Sequence, residues 1–243
     1  MTKIPAAFGA AGYFIDCQSK KVLDREHGLV YDQNRPVVEK EEGSMKKGEK
    51  RKLELLRTAY RMFLEKGYEN TSVDEIIEAA GIAKGTYYYY FQSKEQTLEE
   101  VIGMMLDAEE ERAKQVMAAD LPAPQKMAGI IAAFSPDAGE TAIRDTLNRP
   151  ENIVMHDKIN RRLTDRVVPL LSEVAEQGVR EGLFACDHIP ERVREILLLS
   201  NALFNEEQYT EADIAVFIDT VERIMYAAPG TMGFIAQIIH QGK

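Results

Sequence analysis

Between Lys84 and Phe91 the chain reads KGTYYYYF, and a further lysine follows at Lys94. Tyrosine brings a flat apolar ring and a hydroxyl that donates or accepts, and lysine brings a compact positive charge. Together they suit contact with base edges and phosphate oxygens, which is recognition and not bond-breaking chemistry. Successive residues on a helix turn by about 100°, so five aromatic residues in a row cannot share one face. Tyr87 and Phe91 are four apart and share an inward face, which leaves Tyr88, Tyr89 and Tyr90 largely outside. A Tyr-rich core helix or a protein-binding patch is the other reading of the same run, because aromatic stripes are ordinarily core.

Other reactive residue types are sparse and badly spaced for catalysis. His27, His156, His188 and His240 fall in no HExxH sequence and no His/Cys pattern with zinc spacing. Walker A, GxGxxG and GxSxG sequences are also missing, so neither a cofactor nor a metal is expected. His156-Asp157 could face an interior cavity, and methionine is an adaptable apolar side chain. Met105, Met127, Phe134, Met155, His156 and Ile159 are therefore the candidate lining of a ligand pocket, with plain core packing as the alternative. A helical enzyme without a local motif and an adaptor that uses the tyrosine run as a protein contact are the competing function classes.

The elements that would position the tyrosines are legible around them. Thr71-Ser72 precedes an apolar-periodic stretch, and Glu75 stands three residues after Ser72, the spacing of a capping box. The short helix so opened carries Val73, Ile76, Ile77 and Ala80, and Gly81 supplies the residue that stops it. A second short helix begins at about Lys84. Upstream, residues 50–66 read KRKLELLRTAYRMFLEK, with Leu53, Leu56, Ala59, Tyr60, Phe63 and Leu64 on one face and Gly67 as the stop. Downstream, Ser93-Lys94-Glu95-Gln96 is a second capping box that opens a helix through about Met117. Two short helices joined by a Gly turn and braced by longer ones form the helix-turn-helix pattern, whose second helix enters the major groove.

Over residues 50–106 this order resembles the TetR family of transcriptional repressors. The resemblance rests on AYRMFLEKGYENTSVDEI, AGIAKGTYYYYF and the closing SKE; beyond residue 106 it is architectural. Ala83 departs from the pattern, since the family often has Ser or a similar cap there, and the recognition helix would start less firmly for it. The resemblance implies a ligand-responsive repressor that binds a near-palindromic operator in double-stranded DNA as a homodimer and is released by a small-molecule inducer. Lys84 and Gly85 match base-proximal positions. Tyr88 and Tyr89 would reach bases or adjoining backbone, and Thr71, Ser72, Thr86, Tyr90 and Lys94 would hold phosphates. The starts of the helices opened by Ser72 and Ser93 could also bind phosphate through the helix dipole.

A net charge of −10 argues against DNA only if it is averaged over the chain. Residues 45–94 hold ten Lys/Arg against seven Asp/Glu, a net of +3 that leaves −13 for the remainder. Lys46, Lys47, Lys50, Arg51 and Lys52 cluster ahead of the first helix, although a solvated charged face would look the same. Cys17 and Cys186 are too few for a disulfide framework, no apolar run could span a bilayer, and no signal peptide is read; a cytoplasmic setting without membrane contact is expected.

The rest of the chain reads as helices, so the fold class is all-α. An N-terminal three-helix DNA-binding domain is followed by a C-terminal helical ligand-binding and dimerisation domain. The expected divisions are a flexible extension over residues 1–44, the helix-turn-helix domain over 45–106, the second domain over 107–228 and a tail over 229–243. Helices are expected at about 124–134, 137–148, 151–181 (with Pro169 inside), 190–204 and 211–227. The last two carry more apolar surface than one face of a surface helix needs. In the resemblance they build a four-helix bundle with a second subunit, and Val193, Leu197, Leu198, Phe217 and Val221 are the expected interface. Burial within one domain is the alternative.

Overall fold

The computed structural model describes residues 13–16, 21–24, 28–32, 46–135, 138–149, 152–204 and 209–241. Strands β1 (Tyr13–Asp16), β2 (Lys21–Asp24) and β3 (Gly28–Asp32) form an antiparallel meander in which Tyr13 pairs with Asp24 and Lys21 with Asp32. The helices are α1 (Lys47–Lys66), α2 (Val73–Ala80), α3 (Lys84–Tyr90), α4 (Lys94–Ala118), α5 (Ala123–Ala133), α6 (Ala138–Asp145), α7 (Ile153–Arg180), α8 (Ile189–Phe204), α9 (Glu211–Ile224) and α10 (Phe234–Gln241). The body is all-α, as the helical periodicity predicts. The meander and α10 are additions. Strands of four or five residues are too short for a period-two pattern to stand out. The expected flexible extension otherwise lies outside the described residues. No helix among them is long and apolar enough to cross a membrane.

The chain divides into two compact units, and the division falls inside α4 and α7. One unit comprises residues 37–108 and 136–163 and holds the tyrosine run. Its core joins Phe63 of α1, Ile76 of α2, Tyr87 of α3, Phe91, and Leu98, Ile102 and Leu106 of α4, all essentially without solvent contact. Each such side chain contributes roughly 1.5–3 kcal/mol by leaving water. The buried face of α1 is turned from the expected one: Leu55, Leu56, Ala59, Met62 and Phe63 point inward, while Leu64 is exposed. α6 and the start of α7 complete this unit. Tyr60 donates to Glu140 Oε1 at 3.0 Å, and Glu99 pairs with Lys158 at 2.7 Å and Arg162 at 3.0 Å.

The second unit comprises residues 1–36, 109–135 and 164–243. α5 lies so close to α4 that a Cβ on Gly129 would stand 2.7 Å from Val116 Cγ1. α8 and α9 form a hairpin whose ends are tied by Arg192, which donates to the Ile224 carbonyl at 2.7 Å and to Asp187 Oδ1 at 3.0 Å. α10 follows a turn held by the buried Glu222, whose carboxylate accepts the Met232 amide at 3.0 Å.

Candidate nucleic-acid interface

The start of α2 is built as its sequence demands. Ser72 Oγ accepts the Glu75 amide at 3.2 Å, and Glu75 Oε2 accepts the Ser72 amide at 2.8 Å. The Ser72 amide first, then Lys66 at 2.9 Å and the Ser72 hydroxyl at 3.0 Å, all donating to the carboxylate, hold the Glu75 carboxyl at about 2 against an ordinary 4.5. Gly81 closes α2 at φ 62° and ψ 39°, a left-handed conformation that costs a residue with a Cβ. Ala83 then caps α3 without any side-chain bond. At the start of α4, Ser93 Oγ accepts the Gln96 amide at 3.2 Å, and Gln96 Oε1 accepts the amide of Gln92, one residue earlier than the expected box.

α3 is two-sided. Tyr87 is buried, and its hydroxyl lies 2.5 Å from Thr97 Oγ1 and donates to the Ser93 carbonyl at 3.4 Å. Phe91 is buried beside it, with ring centroids 5.7 Å apart. On the other side Tyr88 is 47 % and Tyr89 82 % exposed, and Gly85 has open space where a Cβ would stand. Tyr90 and Thr86 are half-buried. Lys84, the one charged side chain of α3, donates to Asp74 Oδ1 of α2 at 3.0 Å. That bond raises the Lys84 pKa. Asp74 escapes a reading of the sequence because it stands ten residues away across the turn.

Three members of the expected phosphate set sit differently. Thr71 is 1 % exposed, and its hydroxyl donates to the Gly67 carbonyl at 2.9 Å, so it braces the turn after α1 and has no surface to offer a phosphate. Lys94 is half-buried; its ammonium donates to the Tyr68 carbonyl at 3.0 Å and lies 4.1 Å from the centroid of that ring. Ser72 is exposed, but its hydroxyl is engaged with the Glu75 carboxylate at 3.0 Å. In the basic cluster Lys52 turns inward to Glu100 at 3.0 Å, while Lys46, Lys47 and Arg51 are exposed.

The expected pocket residues do not line one pocket and fall in two different units. Met105 and Ile159 belong to the core of the unit that holds α3, and Met155 packs on it. His156 shares its helix face with Asn160, whose side-chain nitrogen lies 3.2 Å from Nε2. Phe134 is buried at the end of α5. Of the six, Met127 alone lines the cavity of about 140 Å³ found in the other unit. Among the described residues that cavity is walled by α5, α7, α8, α9 and α10, with Ser200 as the one polar side chain among Met, Leu, Ile, Val and Phe.

Of the five expected interface residues, Leu198 stays on the outside and the other four turn inward. Val193, Phe217 and Val221 are buried within the protomer, and Leu197 lines the cavity with them. Helical phase leaves the outer faces to Leu198 at 59 % exposure, Leu199 and Leu203 on α8 and to Val216 at 65 % on α9. The sequence offered both sides of α8 as apolar and gave no sign of which faced inward.

A helical unit with a capped α2, a Gly turn and an outward-facing α3 is the helix-turn-helix class of DNA-binding protein. The family described as "Bacterial regulatory proteins, tetR family" matches residues 55–101. The HTH-type transcriptional repressor KstR2 of Mycolicibacterium smegmatis is 30 % identical over 142 residues, covering 56 % of this chain and 69 % of that protein. The fatty acid metabolism regulator protein of Bacillus subtilis is 30 % identical over 146 residues, covering 57 % and 73 %. Among solved structures, RolR in complex with resorcinol aligns over 81 % of this chain and 95 % of that one, with a TM-score of 0.55 at 18 % identity, a likeness of fold. The chain belongs to the TetR family: it is a ligand-responsive transcriptional regulator that binds DNA, and not an enzyme.

Proposed function

We propose that the protein is a cytoplasmic repressor that binds a near-palindromic operator as a homodimer and leaves it when a small molecule binds. The observation that carries this reading is α3, with Tyr87 and Phe91 buried on one side and Lys84, Gly85, Tyr88 and Tyr89 open on the other. Lys84 and Gly85 would approach base edges, and Tyr88 and Tyr89 would reach bases or the adjoining backbone. Thr86, Tyr90 and the exposed Lys46, Lys47 and Arg51 would meet phosphates. Lys94 and Ser72 would contribute chiefly through the helix starts they build. Residues 45–106 act as the reading head and 107–228 as the ligand and dimer domain, with α10 added to the latter. The apolar outer face of α8 and α9 (Leu198, Leu199, Leu203, Val216) supports pairing with a second copy. A two-fold dimer matches two half-sites about one helical turn apart, roughly 34–36 Å. An effector lowers operator affinity only to the extent that it favours the dimer state that fits DNA less well.

Selection of binding duplexes from a random pool tests the whole reading. Selected sequences should carry inverted half-sites with centres about one turn apart, and scattering from the free protein should give twice the chain mass. Half-sites without symmetry, or a monomer at micromolar concentration, would sink it.

A further inference from the structure

The cavity behind α8 has a chemistry of its own. Among the described residues its lining carries no charged side chain, and Ser200 is its one polar side chain. A bare ion entering such a space loses its hydration and meets no opposite charge, which makes burial of charge prohibitive. A neutral molecule loses little and gains the apolar contact. A volume of about 140 Å³ is close to that of an apolar cavity that stays dry and accepts a benzene-sized guest, roughly 150 Å³. Met127, Met225 and Met232 give part of the wall a deformable surface. α10 closes another side through Phe234, Ile235, Ile238 and Ile239. It is held there at one end by the Met232–Glu222 bond and at the other by His240 Nε2, 3.0 Å from Glu211 Oε1.

We propose that this cavity is the effector site and takes an uncharged, hydrocarbon-rich small molecule of about the bulk of one six-membered ring, with Ser200 as its single polar anchor. The proposal rests on the reading of the protein as a ligand-released repressor. It differs from the pocket expected from the sequence, because Met105, Met155, His156 and Ile159 take no part. The described lining disfavours charged ring compounds, and a neutral ring that carries one hydroxyl is favoured over the bare hydrocarbon.

Calorimetry and thermal melting of the full chain with four ring compounds test this: cyclohexanol, toluene, cyclohexylammonium and cyclohexanecarboxylate. Cyclohexanol should bind and raise the melting temperature, and both ions should bind at least tenfold more weakly. Val193→Phe fills the cavity from the α8 side; it should melt at or above the parent temperature and lose at least tenfold in cyclohexanol affinity. Ser200→Ala should lower the ratio of cyclohexanol to toluene affinity about fivefold, the worth of one neutral hydrogen bond, and it keeps the question open to decision if Val193→Phe does not fold. Equal binding of the ions, an unchanged affinity in a folded Val193→Phe, an unchanged ratio in Ser200→Ala, or no binding of either neutral ring overturns the proposal. Retardation of the selected operator duplex is read on the same preparation. Operator binding without ring binding defeats this inference alone, while ring binding without operator binding defeats the repressor reading instead.

Discussion

Tyr87 and Tyr88 are adjacent, yet the Tyr87 hydroxyl is buried against Thr97 while Tyr88 stands half in solvent. On helical phase alone Tyr87→Phe would cost almost nothing. The hydroxyl makes a short internal bond, however, so its loss should destabilise the fold by about 0.5–1.5 kcal/mol, seen in chemical denaturation. Tyr88→Phe should leave stability unchanged and weaken operator binding. If the two variants exchange these effects, α3 is rotated from the orientation described. Asp74 offers a second test. It neutralises Lys84, the one charge on α3. Asp74→Asn should raise affinity for unrelated duplex DNA severalfold and steepen its salt dependence by about one charge per subunit. A loss of operator affinity with no gain on unrelated DNA would mean instead that Asp74 aims Lys84 at a base.

Element by element, the boundaries follow local chemistry and the faces follow packing. The Ser72–Glu75 box lowers the Glu75 pKa to about 2. A folded pKa below the unfolded one stabilises above the unfolded value, and that stability is lost as pH falls through the folded value. Melting temperature should therefore decline between about pH 4.5 and 2 in the parent, with a shallower decline in Glu75→Gln; parallel curves would remove the box from the acid response. α8 and α9 show what phase decides. Leu198 faces out and Phe217 faces in. Leu198→Glu should give a folded monomer by scattering and circular dichroism. Phe217→Asp should unfold the unit, because truncating or charging a buried aromatic costs roughly 3–5 kcal/mol or more. A stable monomer from Phe217→Asp would reverse the assignment of these faces.

Over the whole molecule, charge is segregated: +3 over residues 45–94 against −13 elsewhere. An acidic remainder repels phosphate, so attraction to DNA is confined to the reading head. Operator affinity should fall linearly with salt on logarithmic axes, with a slope set by the number of phosphates neutralised, about 0.9 per contact. Binding that does not change between 50 and 200 mM salt would leave the basic cluster without a role. In the proposed dimer α8 would join two functions, since Val193, Ile196, Leu197 and Ser200 line the cavity on one side and Leu198 and Leu199 lie on the other. A ligand that shifts α8 would then act on the proposed dimer face directly, and by linkage dimerisation would change ligand affinity by the same factor.

By itself the sequence determined the helical class, the order of short helices around KGTYYYYF, the Ser72–Glu75 cap and the inward pair Tyr87 and Phe91. These depend on residues within about four positions of one another, where a helix makes spacing and contact the same thing. Tertiary structure alone decided that Thr71 is buried, that Lys94 is tied to Tyr68 and Lys84 to Asp74, and that α10 walls the cavity. It also decided which side of α8 faces inward. Each of those outcomes joins residues brought together by packing, and an apolar stretch such as EILLLSNALF presents two faces that only its neighbours in space can tell apart.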